Sequence, residues 1–263
     1  MSGLRTYGNP PFKIALIHGG PGAAGSMVPI ANELSKNAGI LEPLQTELTI
    51  DGQIHELQSF LEKHGEFPFT LIGHSWGAWL GYMFTSIYPS EVSRLIMIGS
   101  GPFLEEFARD IMTTRVQRLT VNEKTELTSL LTSLEGSTNR DKDSIFRKAA
   151  DLIRKADSFS PIDLSDSMIQ CRYDIFQRIW KEAEEMRRSG GLLKMAENIK
   201  CPVTAIHGDY DPHPPAGITE PLSGLIKDFK FILLKKCGHE PWNEKNAREE
   251  FYRILTEELN QGI

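Results

Sequence analysis

"GHSWG", residues 73–77, sets a serine between two bulky side chains, with glycine two places before it and two after it. The compact apolar run "FTLIG", 69–73, leads into it, and "GAWLGYMFTSIYP", 77–89, follows with helical spacing and closes on Pro89. This context predicts a strand, a very tight turn and a helix. Such a turn crowds its neighbours, and glycine at 73 and 77 relieves the crowding. It also lifts Ser75 clear of the backbone, at the start of a helix whose free N–H groups favour developing negative charge. A serine hydroxyl is a poor nucleophile by itself and needs a neighbouring base. The pattern G-x-S-x-G in this setting predicts Ser75 as a nucleophile, with the N–H of Trp76 aimed at the oxyanion.

Reading outward, "FKIALI", 12–17, is a buried strand that runs into "HGGPG", 18–22. "MVPIANELSKNAG", 27–39, has helical spacing with Gly39 as its stop, and "ILEPLQ", 40–45, is a weaker strand demoted by Pro43. "IDGQIHELQSFLEKHG", 50–65, puts Ile54, Leu57, Phe60 and Leu61 on one helical face. "VSRLIMIGS", 92–100, "CPVTAIHG", 201–208, and "FKFILLKKCG", 229–238, are three further strands, and 243–260 is the final helix. Between about 103 and 195 only helical patterns occur. Strands alternating with helices predict a mostly parallel sheet of about six strands, covered on both faces. The expected organisation is a core of 1–100 and 197–263, with 101–196 inserted between strands as a helical cap.

The chain has 263 residues, 40% of them hydrophobic and 24% charged, with a formal net charge of −6. That charge, and the lack of a Lys/Arg run, argues against nucleic acid as a partner. No apolar run approaches the roughly 20 residues of a membrane span, and no signal-peptide pattern follows Met1. Cys171, Cys201 and Cys237 are far apart and odd in number, and no metal-type spacing is present. They are expected to be reduced thiols in a cytoplasmic protein. No metal or cofactor is expected, and the expected partner is a small-molecule substrate.

Ligands of parallel sheets sit beyond the carboxyl ends of the strands. "HGGPG", "GHSWG", "GDYDPHPP" and "CGHEPW" each follow a predicted strand and therefore converge on one edge. In the first loop glycine lets the backbone approach a reacting carbonyl, so Gly20 is the expected second oxyanion donor, with Gly19 as the alternative. His18 is expected to brace that loop. His239 is the expected base, with His213 as its competitor on another edge loop. His55 and His64 lie on or beside a surface helix, His74 points away from Ser75, and His207 ends a strand as a core residue. Asp211 is the expected acid, ahead of Asp209, because it stands further from the strand and is freer to reach across the edge. Asp209 is expected to cap its own turn.

These four motifs together resemble the α/β-hydrolase superfamily, and most of all the proline iminopeptidase branch with its serine hydrolase relatives. The resemblance covers roughly 12–100 and 200–260. It implies an α/β-hydrolase fold, a Ser75–Asp211–His239 triad, oxyanion donors from Gly20 and Trp76, and cleavage of an ester or amide through an acyl-enzyme. Two departures stand out. Only about a dozen residues precede "FKIALI", so the N-terminal strands are expected to be truncated, and "ILEPLQTELTIDGQ" replaces the usual aspartate-rich loop. In iminopeptidases cap glutamates hold the substrate's amino group. Glu105 and Glu106 are the candidates here, with a solvated first helical turn as their simpler role. Phe103, Phe107, Phe159, Tyr173, Phe176 and Trp180 are candidates for an acyl pocket or for plain packing. Carbon–carbon bond hydrolysis and non-catalytic binding on the same scaffold are the alternative functions.

Overall fold

The computed structural model describes residues 3–136, 141–162 and 169–260. Its elements in chain order begin with β1 (Leu4–Tyr7), β2 (Phe12–Ile17), β3 (Ala23–Ala24), α1 (Val28–Leu34), β4 (Gly39–Pro43) and α2 (Ile50–His64). The elbow region follows as β5 (Phe69–His74), α3 (Trp76–Ile87) and β6 (Val92–Ile98). Then come α4 (Ile111–Arg118), α5 (Val121–Glu135), α6 (Lys142–Asp157), β7 (Gln170–Cys171), α7 (Tyr173–Arg188) and α8 (Gly191–Lys194). The chain ends with β8 (Val203–Gly208), α9 (Ala216–Ser223), β9 (Phe229–Leu234) and α10 (Arg248–Asn260).

Seven strands form one sheet in the order β1-β4-β2-β5-β6-β8-β9. All neighbours are parallel except the edge pair of β1 and β4, where Leu4 lies opposite Pro43 and Tyr7 opposite Ile40. The six expected strands are present, and β1 is the seventh. Four residues ending near a glycine carry too little pattern to read as a strand alone. What holds β1 is tertiary: Tyr7 Oη donates to the buried Glu42 carboxylate at 2.7 Å, and Arg5 lies 3.6 Å from the same oxygen. Gly39 is not the helix stop. Helix α1 ends at Leu34, and Gly39 is already paired with Phe12 in the sheet.

Successive side chains along a strand point to opposite faces, and the cores follow that rule. Ala15, Ile17, Leu71, Leu95 and Met97 are buried on one face against α2 and α3. Leu16, Ile72, Ile96, Ile98 and Ile206 are buried on the other, against α1 and α10. This two-sided burial is why the strands read as near-continuous apolar runs. Helix α3 is buried on nearly every side, so each ring donor needs a partner. Trp76 Nε1 donates to Gln53 Oε1 at 3.0 Å, Trp79 Nε1 to the Gly101 carbonyl at 3.1 Å, and Tyr82 Oη to the Leu193 carbonyl at 3.2 Å.

Helices α4 to α8 follow β6 in sequence and precede β8. The span of purely helical patterns is interrupted by the two-residue β7, which pairs with β3 and precedes α7. At its start that span holds a single 3-10 turn, Glu105–Phe107, and then α4. Helix α9 was not foreseen, because Pro214, Pro215 and Pro221 mask its pattern. The three cysteines are free. Among the described residues no helix is long and apolar enough to cross a membrane.

Candidate active site

The turn after β5 is as tight as its sequence implies. Ser75 has φ +53° and ψ −114°, a strained conformation for a residue with a side chain. A Cβ on Gly73 would lie 2.1 Å from the Gly77 carbonyl oxygen, and one on Gly77 would lie 2.1 Å from the Ile17 carbonyl oxygen. Only glycine fits either place. The Ser75 N–H is held by the Ile98 carbonyl at 2.9 Å, while its side chain stays partly exposed in a cavity wall. Trp76 is the first residue of α3, so its N–H is one of the amides no preceding helical turn can engage.

Residues 18–24 pass directly beside the elbow. A Cβ on Gly19 would be 3.4 Å from Ser75 Cβ. The Gly19 N–H already donates to Ser26 Oγ at 3.3 Å. Gly20 has φ +116°, a conformation closed to other residues. His18 is fully buried, and burial holds its pKa down to about 4. Its Nε2 accepts from the Gln45 N–H at 3.2 Å, so Nδ1 carries the proton and donates to the Gly19 carbonyl at 2.8 Å. The expected bracing role is what the hydrogen bonds describe.

Asp211 and His239 come together as the sequence predicts. His239 Nδ1 donates to Asp211 Oδ2 at 2.7 Å. The other oxygen, Oδ1, accepts from the His213 N–H at 2.9 Å and from His213 Nδ1 at 2.7 Å. His207 Nε2 lies 3.6 Å from Oδ2 and donates to the His213 carbonyl at 2.8 Å. Burial pushes the Asp211 carboxyl up, but the charges of His239, His213 and His207 outweigh it and hold the group well below the usual carboxylate range. Burial likewise works against charge on His239, and Asp211 overcomes it, so that imidazole is raised above its ordinary value. His213 is lowered to about 4, burial outweighing the same carboxylate. One carboxylate thus serves two imidazoles, and only His239 is favoured to hold the charge. Asp209 does not cap its own turn as expected. Its Oδ1 accepts from the Cys237 N–H at 3.2 Å, tying the acid loop to the histidine loop.

Ser75 and His239 line one cavity of about 570 Å³, together with Gly19, Gly20 and His213. No hydrogen bond from the Ser75 hydroxyl is formed among the described residues. Such bonds are often long before substrate binds. His74 also lines this cavity. Its Nε2 donates to the His239 carbonyl at 3.1 Å, and its ring packs 4.7 Å from those of His239 and Trp242. Asp211, His213 and His239 are also the described cluster with a metal-like donor set. Their N···O separations of 2.7 Å are those of hydrogen bonds, shorter than the roughly 3 Å that two ligands of one tetrahedral zinc keep.

The cavity reaches from this floor up between α4, α5, α6 and α7. Tyr173, Phe176 and Trp180 line it, whereas Phe103, Phe107 and Phe159 do not. Phe176 and Trp180 stack at 6.1 Å, and Trp180 stacks on Trp79 at the same distance. Glu105 and Glu106 are not among the lining residues. Glu105 is paired with Arg187 at 2.9 Å, and Glu106 is exposed. Sequence reasoning missed Glu244, whose buried carboxylate accepts from the N–H groups of Phe159 and Ser160 at 2.7 Å and of Gly238 at 2.9 Å. It also missed Asp157, whose carbonyl takes the His239 N–H at 3.0 Å. No local motif marks either residue: Asp157 meets backbone 82 positions away, and Glu244 joins the nearby Gly238 N–H to those of Phe159 and Ser160, 85 and 84 positions away.

Comparison with known proteins agrees with this geometry. A family described as alpha/beta hydrolase fold matches residues 21–244. The chain is 23% identical over 198 residues to monoacylglycerol lipase ABHD6 of Homo sapiens, a stretch covering 73% of this chain and 56% of that protein. It thus spans little more than half the length of that relative. Among solved structures it superposes on VinJ with a TM-score of 0.67 at 17% identity, covering 99% of this chain and 95% of the other. It superposes on the proline iminopeptidase of Mycobacterium smegmatis with a TM-score of 0.64, also at 17% identity, covering 98% and 94%. With a family match over most of its length and the elbow, acid and histidine loops at one sheet edge, this chain belongs to the alpha/beta hydrolase fold family.

Proposed function

We propose that the protein is a serine hydrolase that cleaves an ester or amide of a small substrate carrying a sizeable apolar group. The observation that carries this reading is the 2.7 Å bond from His239 to the buried Asp211, with His239 and Ser75 on the wall of one cavity. His239 Nε2 accepts the Ser75 hydroxyl proton as Oγ bonds to the substrate carbonyl carbon. The carbonyl oxygen becomes an oxyanion that accepts from the N–H groups of Gly20 and Trp76. The tetrahedral intermediate collapses, and the leaving alcohol or amine departs with the proton from His239. Water then gives a proton to His239 and its oxygen to the acyl carbon, and Ser75 regains its proton. Asp211 keeps the imidazole in the productive tautomer and stabilises the imidazolium.

Residues 101–196 act as the cap on a core of 1–100 and 197–263. A chamber of about 570 Å³ falls within the range of small-molecule sites. Its upper wall of Leu131, Leu134, Ile153, Phe176 and Trp180 suits an apolar acyl group. Glu105 and Glu106 do not line the chamber, but the cap residues Glu135 and Glu184 do, which keeps the iminopeptidase reading as the alternative. Labelling with a fluorophosphonate probe tests the mechanism: wild type is labelled and Ser75→Ala is not. A panel of nitrophenyl esters against proline naphthylamide tests the substrate class. An unlabelled wild type that leaves the whole panel intact removes the proposal, and selective cleavage of the naphthylamide returns the peptidase reading.

A further inference from the structure

The use of two imidazoles on one carboxylate exceeds what a triad needs. His213 lines the same cavity as Ser75 and His239. Its Nδ1 is committed to Asp211 Oδ1 at 2.7 Å, and the ring lies 4.8 Å from that of His239 with a tilt of 33°. Both rings therefore hang from one carboxylate and turn their Nε2 atoms away from it. The Nδ1 of His74 is sealed in without a partner, whereas neither of these Nε2 atoms is a buried orphan. His213 is 7% exposed and is one of the residues that line the chamber.

An imidazole that donates through Nδ1 and carries no charge has a lone pair on Nε2. Burial and the nearby charges of His239 and Arg115 keep His213 uncharged, its pKa lowered to about 4. Its Nε2 is then a fixed acceptor that cannot become a donor at neutral pH. The half of the substrate that leaves must bring its departing atom within hydrogen-bond reach of His239 Nε2. It therefore passes beside a ring only 4.8 Å from that of His239. A leaving group with no donor would leave the His213 nitrogen dry and unpaired, which costs binding.

Resting on the serine hydrolase reading above, we propose that His213 is a specificity-determining residue whose Nε2 accepts a hydrogen bond from the leaving group. The enzyme thus selects substrates whose departing half carries an uncharged O–H or N–H donor near the scissile bond. A cationic donor is disfavoured by Arg115, whose guanidinium already opposes charge on His213. This assigns polarity to the leaving group, where the apolar upper chamber speaks only for the acyl group.

The test uses His213→Asn in the full chain. Asparagine keeps an N–H where Nδ1 stood, to hold Asp211, and removes the Nε2 acceptor. Three esters of one fatty acid are compared: 2-hydroxyethyl, 2-acetamidoethyl and butyl. The readout is the ratio of kcat/KM for each donor-bearing ester to that for the butyl ester, which does not depend on how much of a variant is folded. The substitution is expected to lower at least one ratio by about 2- to 10-fold, the worth of one neutral hydrogen bond. The ratio that falls distinguishes a hydroxyl from an amide N–H. Ratios equal in wild type and His213→Asn overturn the inference while the hydrolase reading stands. A wild type that cleaves none of the three and resists the fluorophosphonate overturns both.

Discussion

The backbone N–H of His239 donates to the carbonyl of Asp157 at 3.0 Å, so the loop carrying the proposed base is tied to the last residue of α6. The Asp157 carboxylate is in turn gripped by Arg115 through Nε at 2.8 Å and Nη2 at 2.7 Å. A change at this helix end therefore reaches His239 without touching a reacting atom. Replacing Arg115 with Met leaves the buried Asp157 unpaired, which is expected to cost about 3–5 kcal/mol of stability. Adding Asp157→Leu to Arg115→Met is expected to recover most of that loss. Urea unfolding of the two variants checks this, and equal midpoints would refute it.

The rate is expected to fall on the acid side through the ionisation of His239. Only the neutral imidazole accepts the Ser75 proton. Asp211 raises this imidazole above its ordinary value against the effect of burial. The acid limb of kcat/KM is therefore expected above about 6.5, with activity lost below it and held above it. Asp211→Asn removes the raising charge, so the limb is expected to move to lower pH while turnover drops about 10⁴-fold. A pH–rate profile of both proteins checks the sign.

Gly77→Ala places a methyl 2.1 Å from the Ile17 carbonyl oxygen, which belongs to the backbone of a central strand and has no room to retreat. The helix must move away from the sheet, and Trp76, the proposed oxyanion donor, moves with it. A loss of about 1–3 kcal/mol or more is expected, read as a lower melting temperature, together with a fall in kcat.

Gly20→Ala tests the other donor. At φ +116° an alanine forces the peptide to turn. The expected effect is a loss of about 10²–10³ in kcat with KM little changed. A rise in KM alone would place Gly20 outside the oxyanion hole.

Trp180→Ala removes one layer of the stack between Phe176 and Trp79. Esters of long acyl chains are expected to lose roughly 10-fold or more in kcat/KM, from lost apolar contact, and acetyl esters far less. An equal loss for every chain length would make Trp180 a packing residue only.

The elbow, the two-sided sheet and the loop positions of Asp211 and His239 were legible from residue order. Their signals are local: glycine spacing, apolar runs, and a polar motif directly after each strand. Edge strand β1 was not legible, because Glu42 and Tyr7 are 35 positions apart in sequence. The role of Glu105 was not legible either, since its partner Arg187 is 82 positions away.

Residue order alone specifies the alpha/beta hydrolase fold with Ser75 on a tight turn, because backbone sterics at Gly73 and Gly77 act between near neighbours. The tertiary structure alone decided that both His213 and His239 share Asp211, that Asp157 and Glu244 hold the histidine loop, and that Phe176 and Trp180 face the chamber while Phe103 does not. The His239–Asp211 bond spans 28 positions and the Phe159–Glu244 bond 85, whereas the Gly238–Glu244 and His213–Asp211 bonds are local, 6 and 2 positions. Direction and distance there come from how the helices pack, which no linear spacing encodes.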